Sequence, residues 1–136
     1  MSEQHTAKPT ASELEILQIL WNRGPSTVRD VHLVLTLNQQ KPIGYTSVLK
    51  LMQIMTAKGT VRRNEQQRAH VYEAVHPAEK TKRQLATDVL QRVFDGSASE
   101  LMMHALSGGQ GSKEEIRAIF ETVRTLARYL ERQESN

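Results

Sequence analysis

Apolar residues in the first half of this chain recur at helical spacing in three blocks, each with its own start and stop signals. Thr10-Ala11-Ser12-Glu13 has capping-box form, in which the threonine hydroxyl accepts an orphan N–H and the glutamate reaches back. The helix that follows is expected to bury Leu14, Leu17, Ile16 or Leu20, and Trp21, before Gly24-Pro25 ends it. Beside Leu17 at helical spacing, Trp21 reads as core rather than as a stacking platform. Thr27 and Asp30 form a second box, opening a helix with Val28, Val31, Val34 and Leu35 inward. Ser26-Thr27 is short enough to pair as a single strand with a later ribbon. In the third block Val48, Leu51, Met52 and Met55 make one apolar stripe, and Thr46, Ser47, Lys50 and Gln53 make a polar face opposite. Gly59 supplies the left-handed stop.

The pattern then changes period. Val61, Ala69, Val71 and Tyr72 are strand formers, and they predict a two-stranded ribbon. Its turn, Asn64-Glu65-Gln66-Gln67, lacks an Asn-Gly signal, which predicts a longer tip. Beyond His76-Pro77 the signals are helical only. Leu85, Val89 and Val93 recur at four-residue spacing, with Phe94 at the end and Asp95-Gly96-Ser97 as a break. Ser97 or Ser99 can cap a short segment holding Leu101, Met102, Ala105 and Leu106. After the glycine-rich joint at Ser107 to Gly111, Ser112 to Glu115 opens a last helix with Ile116, Ile119 or Phe120, Val123, Leu126 and Leu130.

The expected fold is mainly α with a small β-wing. A winged helix-turn-helix domain spans 1–76, and a helical dimerisation arm spans 77–136. The arm's stripes are buried better against a second copy than in a small three-helix bundle, which makes a homodimer the expected state. Its dimerisation residues are Leu85, Val89, Val93, Phe94, Leu101, Met102, Leu106, Ile116, Phe120, Val123, Leu126 and Leu130.

Charge adds a direction to this picture. Of 18 Lys and Arg and 15 Asp and Glu, residues 1–76 hold nine basic and six acidic, whereas 77–136 hold nine of each. The net positive charge therefore sits in the winged half, as a polyanion-binding module requires. Between Lys41 and His70 there are six Lys or Arg (41, 50, 58, 62, 63, 68) against Glu65 alone. Small donors and a cation on the third helix can reach base edges and phosphates, and the ribbon arginines can reach the backbone or minor groove. The candidate DNA-binding residues are Tyr45, Thr46, Ser47, Lys50, Arg62, Arg63, Arg68 and His70, with double-stranded DNA as partner. Tyr45 either contacts DNA or packs the start of the helix. Arg29, in the first turn of its helix, is a further surface cation.

Other chemistries find little support. The chain has no cysteine, which excludes disulfides, thiolate metal sites and cysteine redox sensing. His5, His32, His70, His76 and His104 are scattered without paired-ligand spacing, and no phosphate loop or nucleophile elbow is present. No enzyme activity, metal or cofactor is expected. No apolar run approaches a membrane span of about 18 residues, so a cytoplasmic protein is expected.

Three stretches resemble the penicillinase repressor and methicillin-resistance repressor family of bacterial transcription factors. They are T-A-S-E-L-E-I-L-Q-I-L-W-N-R-G-P-S-T-V-R-D-V at 10–31, G-Y-T-S-V-L-K-L-M-Q-I-M-T-A-K-G at 44–59 and R-A-H-V-Y-E-A-V at 68–75. A weaker likeness, F-D-G-S-A-S-E-L-M-M-H-A-L at 94–106, falls in that family's dimerisation region. The resemblance implies a dimeric repressor on an inverted-repeat operator. It matches Tyr45, Thr46, Ser47 and Lys50 to the start of the recognition helix, and Arg62, Arg63, Arg68 and His70 to the wing. It also implies a regulatory protease or other sensor partner. Three departures stand out. His104-Ala105 replaces the Asn-Phe bond cut in inducible members, the cysteine cluster of copper-responsive relatives is absent, and Ile54 stands where relatives often carry Arg. The other readings of this sequence are a winged-helix protein-interaction module and a non-specific architectural DNA binder.

Overall fold

The computed structural model describes residues 8–38, 42–66, 68–108 and 111–135. The expected loop from Asn38 to Gly44 (with Lys41), the ribbon tip at Gln67 and the joint at Gly109-Gln110 lie wholly or partly outside them. Helices α1 (Ala11–Arg23), α2 (Val28–Asn38) and α3 (Tyr45–Lys58) precede strands β1 (Val61–Asn64) and β2 (Val71–Ala74). Helices α4 (Ala78–Arg92), α5 (Ala98–Ser107) and α6 (Lys113–Ser135) follow. The chain forms two compact units that part inside α4, between Ala86 and Thr87. The first unit takes in the opening turns of α4, where Thr81 is buried.

Local chemistry starts and stops the helices of the first unit. Thr10 and Glu13 exchange both capping bonds, each 3.2 Å, and Thr27 and Asp30 do the same at 3.0 Å. Gly59 closes α3 at φ 87°, ψ 11°, a conformation that a Cβ would strain. The N–H of Thr27 holds the Asp30 carboxyl below the usual range against the opposing effect of burial, with the Thr27 hydroxyl and Arg23 adding lesser contributions. A pKa lower in the folded than in the unfolded chain stabilises at neutral pH, and the contribution is lost as pH falls through the folded value. Asp30→Ala is therefore expected to cost about 0.5–1 kcal/mol at pH 7, kept small by the exposure of the carboxylate. Urea unfolding across the pH range should show the difference from the parent shrinking as pH falls through the lowered value of the folded carboxyl.

The core gathers Ile16, Leu17, Ile19 and Leu20 from α1, Val28, Val31 and Leu35 from α2, and Val48, Met52 and Met55 from α3, closed by Val61 and Tyr72. Ile19 goes beyond the sequence expectation because α1 packs on α2, α3 and β2 together, which widens its buried arc. Leu14, Trp21, Val34 and Leu51 sit at the edge of this core. The Trp21 indole N–H donates to the carbonyl of His76 at 3.0 Å, tying α1 to the segment after the wing.

The wing is a two-stranded antiparallel sheet in the register Val61↔Ala74, Arg62↔Glu73, Arg63↔Tyr72, Asn64↔Val71. Ser26 adds an isolated bridge, exchanging backbone bonds of 2.9 and 2.8 Å with Tyr72. Pairing stops at Asn64↔Val71, so Ala69 lies in the connection rather than in a strand. Asn64 Oδ1 accepts the N–H of Gln66 at 2.9 Å and starts that connection as an Asx turn.

The second unit is helical. Positive φ at Asp95 (52°) and Gly96 (84°) makes the break after α4. Ser97, of the two candidates, caps α5 through Glu100 N–H at 3.1 Å, and Ser112 accepts Glu115 N–H at 3.1 Å as α6 begins. From Thr87 onward no described residue is buried. Phe94, Leu101 and Leu106 are half-buried, as is Leu85 in the first unit. Val89, Val93, Met102, Ile116, Phe120, Val123, Leu126 and Leu130 are exposed. No helix among the described residues is long and apolar enough to cross a membrane.

Candidate nucleic-acid interface

Three fully buried side chains, Val48, Met52 and Met55, hold α3 against the core, with Leu49 and Leu51 partly packed beside them. Thr46, Ser47, Lys50 and Gln53 are all exposed, so hydroxyls, an ammonium and an amide line one side of the helix. Tyr45 is half exposed at the first position of α3, with its ring edge-on to His32 at 5.8 Å. Ile54 is at the margin of the same exposed surface. The helix begins at Gly44 without a side-chain cap, so its first turn points free N–H groups and the positive end of the helix dipole outward.

On the wing, Arg62 and Arg63 are exposed on β1, while Val61 points into the core. Both arginines already have acidic neighbours. Arg62 Nε donates to Glu73 Oε2 at 2.6 Å across the strand pair, where the register sets the two opposite each other. Arg63 pairs with Glu65, its Nε at 2.8 Å from Oε2 and its terminal nitrogen also in contact. The Tyr72 hydroxyl and then the Glu65 carboxylate raise the guanidinium pKa of Arg63, which stays charged at every accessible pH. Arg68 and His70 lie exposed in the connection between the strands.

The structure therefore divides the basic stretch from Lys41 to His70. Lys58 turns inward, its ammonium bridging both carboxylate oxygens of Glu13 at 2.9 and 3.0 Å. Arg62 and Arg63 carry solvent-screened surface ion pairs that a phosphate can replace. Lys50 and Arg68 make no ion pair with any described residue and present their charge directly. Lys41 lies outside the described residues. Sequence reasoning counted Glu65 but missed Glu73, which reads as an ordinary strand residue until the register places it opposite Arg62. It also missed His32, whose only sequence signal is its position one helix before α3.

Among the described residues no group of three or more His, Asp or Glu is placed to hold a metal ion. The surface offers donors and cations, which suits a polyanion.

A family model described as penicillinase repressor matches residues 9–132. The transcriptional regulator BlaI of Mycobacterium tuberculosis, in strains CDC 1551 / Oshkosh and ATCC 25618 / H37Rv, is 32% identical over 94 residues, covering 68% of this chain and 67% of that protein. The crystal structure of transcriptional regulator Tm0710 from Thermotoga maritima matches with TM-score 0.49 and 20% identity, over 92% of this chain and 78% of that one.

Proposed function

The chain belongs to the penicillinase repressor family, and on that premise we propose that it is a dimeric, sequence-specific repressor acting on an inverted-repeat DNA operator. The observation that carries the DNA-reading half is α3 itself, pinned on one side by Val48, Met52 and Met55, with the polar Thr46, Ser47, Lys50 and Gln53 facing out and Ile54 at their margin. A rigid helix with short donors can enter a major groove without an apolar body in the way. In this reading Thr46 and Ser47 contact base edges or adjacent phosphates, and Lys50 and Arg68 contact phosphate. Arg62 and Arg63 reach the backbone or minor groove once phosphates replace their acidic partners, and His70 reaches it from the connection between the strands.

The dimer rests on the helical unit. On α6, Ile116, Ile119, Val123, Leu126 and Leu130 alternate steps of three and four residues, the seam of a coiled coil, and all but the half-buried Ile119 are exposed. A second copy of the same helix covers such a seam by symmetry. Regulation follows a separate route from the Asn-Phe cleavage of inducible relatives. His104 and Ala105 lie exposed on α5, with the His104 ring 5.6 Å from Phe94, and the sequence contains no Asn-Phe bond. A sensor partner or protease acting on this chain would need another recognition element.

Selection from a pool of random duplexes, with sequencing of the retained fraction, tests the proposal. The expected result is an enriched palindrome, bound with a log-log salt slope of about −0.9 per phosphate neutralised. Salt-sensitive retention of every duplex alike would instead mark an architectural DNA binder. No retention at all would move the function to protein docking.

A further inference from the structure

We propose that His32 is a positioning residue that sets the start of α3, and so governs discrimination between DNA sequences without touching DNA; this rests on the DNA-reading proposal above. The start of α3 needs an outside anchor. Helices α1 and α2 each begin with a reciprocal threonine box, whereas the N-cap of α3 is Gly44, which has no side chain to give. His32, from the middle of α2, grips the residues on both sides of that glycine. Its Nε2 lies 2.8 Å from the carbonyl oxygen of Ile43, just before Gly44. Its ring meets Tyr45, just after Gly44, edge-on at 80°. A carbonyl only accepts, so Nε2 carries the proton in this contact. Thr36 steadies the same turn of α2, donating its hydroxyl to the His32 carbonyl at 2.8 Å.

Thr46 and Ser47 follow directly on this anchored segment, so a shift at Ile43 or Tyr45 moves both hydroxyls. Base-edge hydrogen bonds tolerate displacements of only about half an ångström, whereas phosphate attraction is long-ranged and forgiving. Loosening the start of α3 therefore lowers discrimination more than it lowers general affinity. Tyr45, on this assignment, packs the start of α3 rather than reading DNA.

The test compares the full-length protein with His32→Phe, which keeps a ring against Tyr45 but loses the donor, and His32→Gln, whose amide N–H reaches about as far as Nε2. The probes are the duplex enriched from the random pool by the parent protein and a scrambled duplex of the same length. His32→Phe is expected to lower the ratio of enriched to scrambled affinity about tenfold, the scale of one base contact, with an unchanged salt slope on the scrambled probe. His32→Gln is expected to hold the ratio within about threefold of the parent. Measurement well below the melting temperature of each variant keeps a merely structural effect out of the ratio. An unchanged ratio in His32→Phe overturns the assignment, as does a His32→Gln ratio as low as that of His32→Phe. If the parent protein enriches no duplex, the DNA-reading proposal itself fails, and the two failures are distinguishable.

Discussion

Replacing both Phe120 and Val123 with glutamate is expected to leave a folded monomer whose affinity for the enriched palindrome is at least about 100-fold below that of the parent. These side chains are 57% and 53% exposed in the single chain, beside Leu126 at 55% and Leu130 at 58%. Burying a large apolar side chain is worth about 1.5–3 kcal/mol, and a symmetric seam counts each residue twice. Val123→Glu brings a carboxylate into the seam and Phe120→Glu sets a second at its edge, and the seam carboxylate faces its own copy in a desolvated setting, which makes association unfavourable. Arg124 stacks over the Phe120 ring at 4.8 Å, so the substitution also removes the flat apolar surface that the guanidinium covers. A monomer then reads one half-site and loses the effective concentration that linkage gives the second. Sedimentation equilibrium and fluorescence anisotropy on full and half-site duplexes measure both quantities. A double variant that still dimerises would place the interface elsewhere. A monomer that binds the full site as tightly as the parent would end the inverted-repeat reading.

Lys58→Ala is expected to lower the stability of the first unit by about 2–3 kcal/mol, which for a unit of this size is a fall in Tm of roughly 10–20 °C. The Glu13 side chain is only 3% exposed, while that of Lys58 is 24% exposed. The ammonium meets both carboxylate oxygens, and the N–H of Thr10 is the carboxylate's other partner, at 3.2 Å. Without Lys58 a buried anion keeps a single neutral donor, and the cost is that of an uncompensated charge. The lysine's partial exposure places the figure below that for a fully buried pair. Glu13→Gln should cost about 1 kcal/mol, because glutamine still completes the capping box and the freed ammonium can turn toward water. The double variant should therefore lose less than the sum of the two, with a coupling of about 1–2 kcal/mol in thermal or urea unfolding. A Lys58→Ala melting curve that overlays the parent would show the pair behaving as a surface salt bridge.

The two largest effects sit at opposite ends of what can be read from residues alone. The stripe on α6 is visible as spacing, since Ile116, Val123 and Leu130 recur every seven residues, and all three lie exposed. The pair between Glu13 and Lys58 is not. Glu13 shows only its capping role, and Lys58 reads as one more cation for DNA, until α1 and α3 cross and bring them together over 45 positions.

Sequence by itself determined the features that depend on near neighbours: the two threonine boxes, the left-handed stop at Gly59, and the polar face of Thr46, Ser47, Lys50 and Gln53. Each is settled by a few residues of chain, where backbone geometry fixes which groups can meet. Only the tertiary structure decided the inclusion of Ile19 in the core, the retreat of Lys58, the placing of Glu73 opposite Arg62, and the hold of His32 on both sides of Gly44. Periodicity tells which face of a helix turns inward. Which residue it meets there depends on how the elements cross and in what register, and no local interaction encodes that.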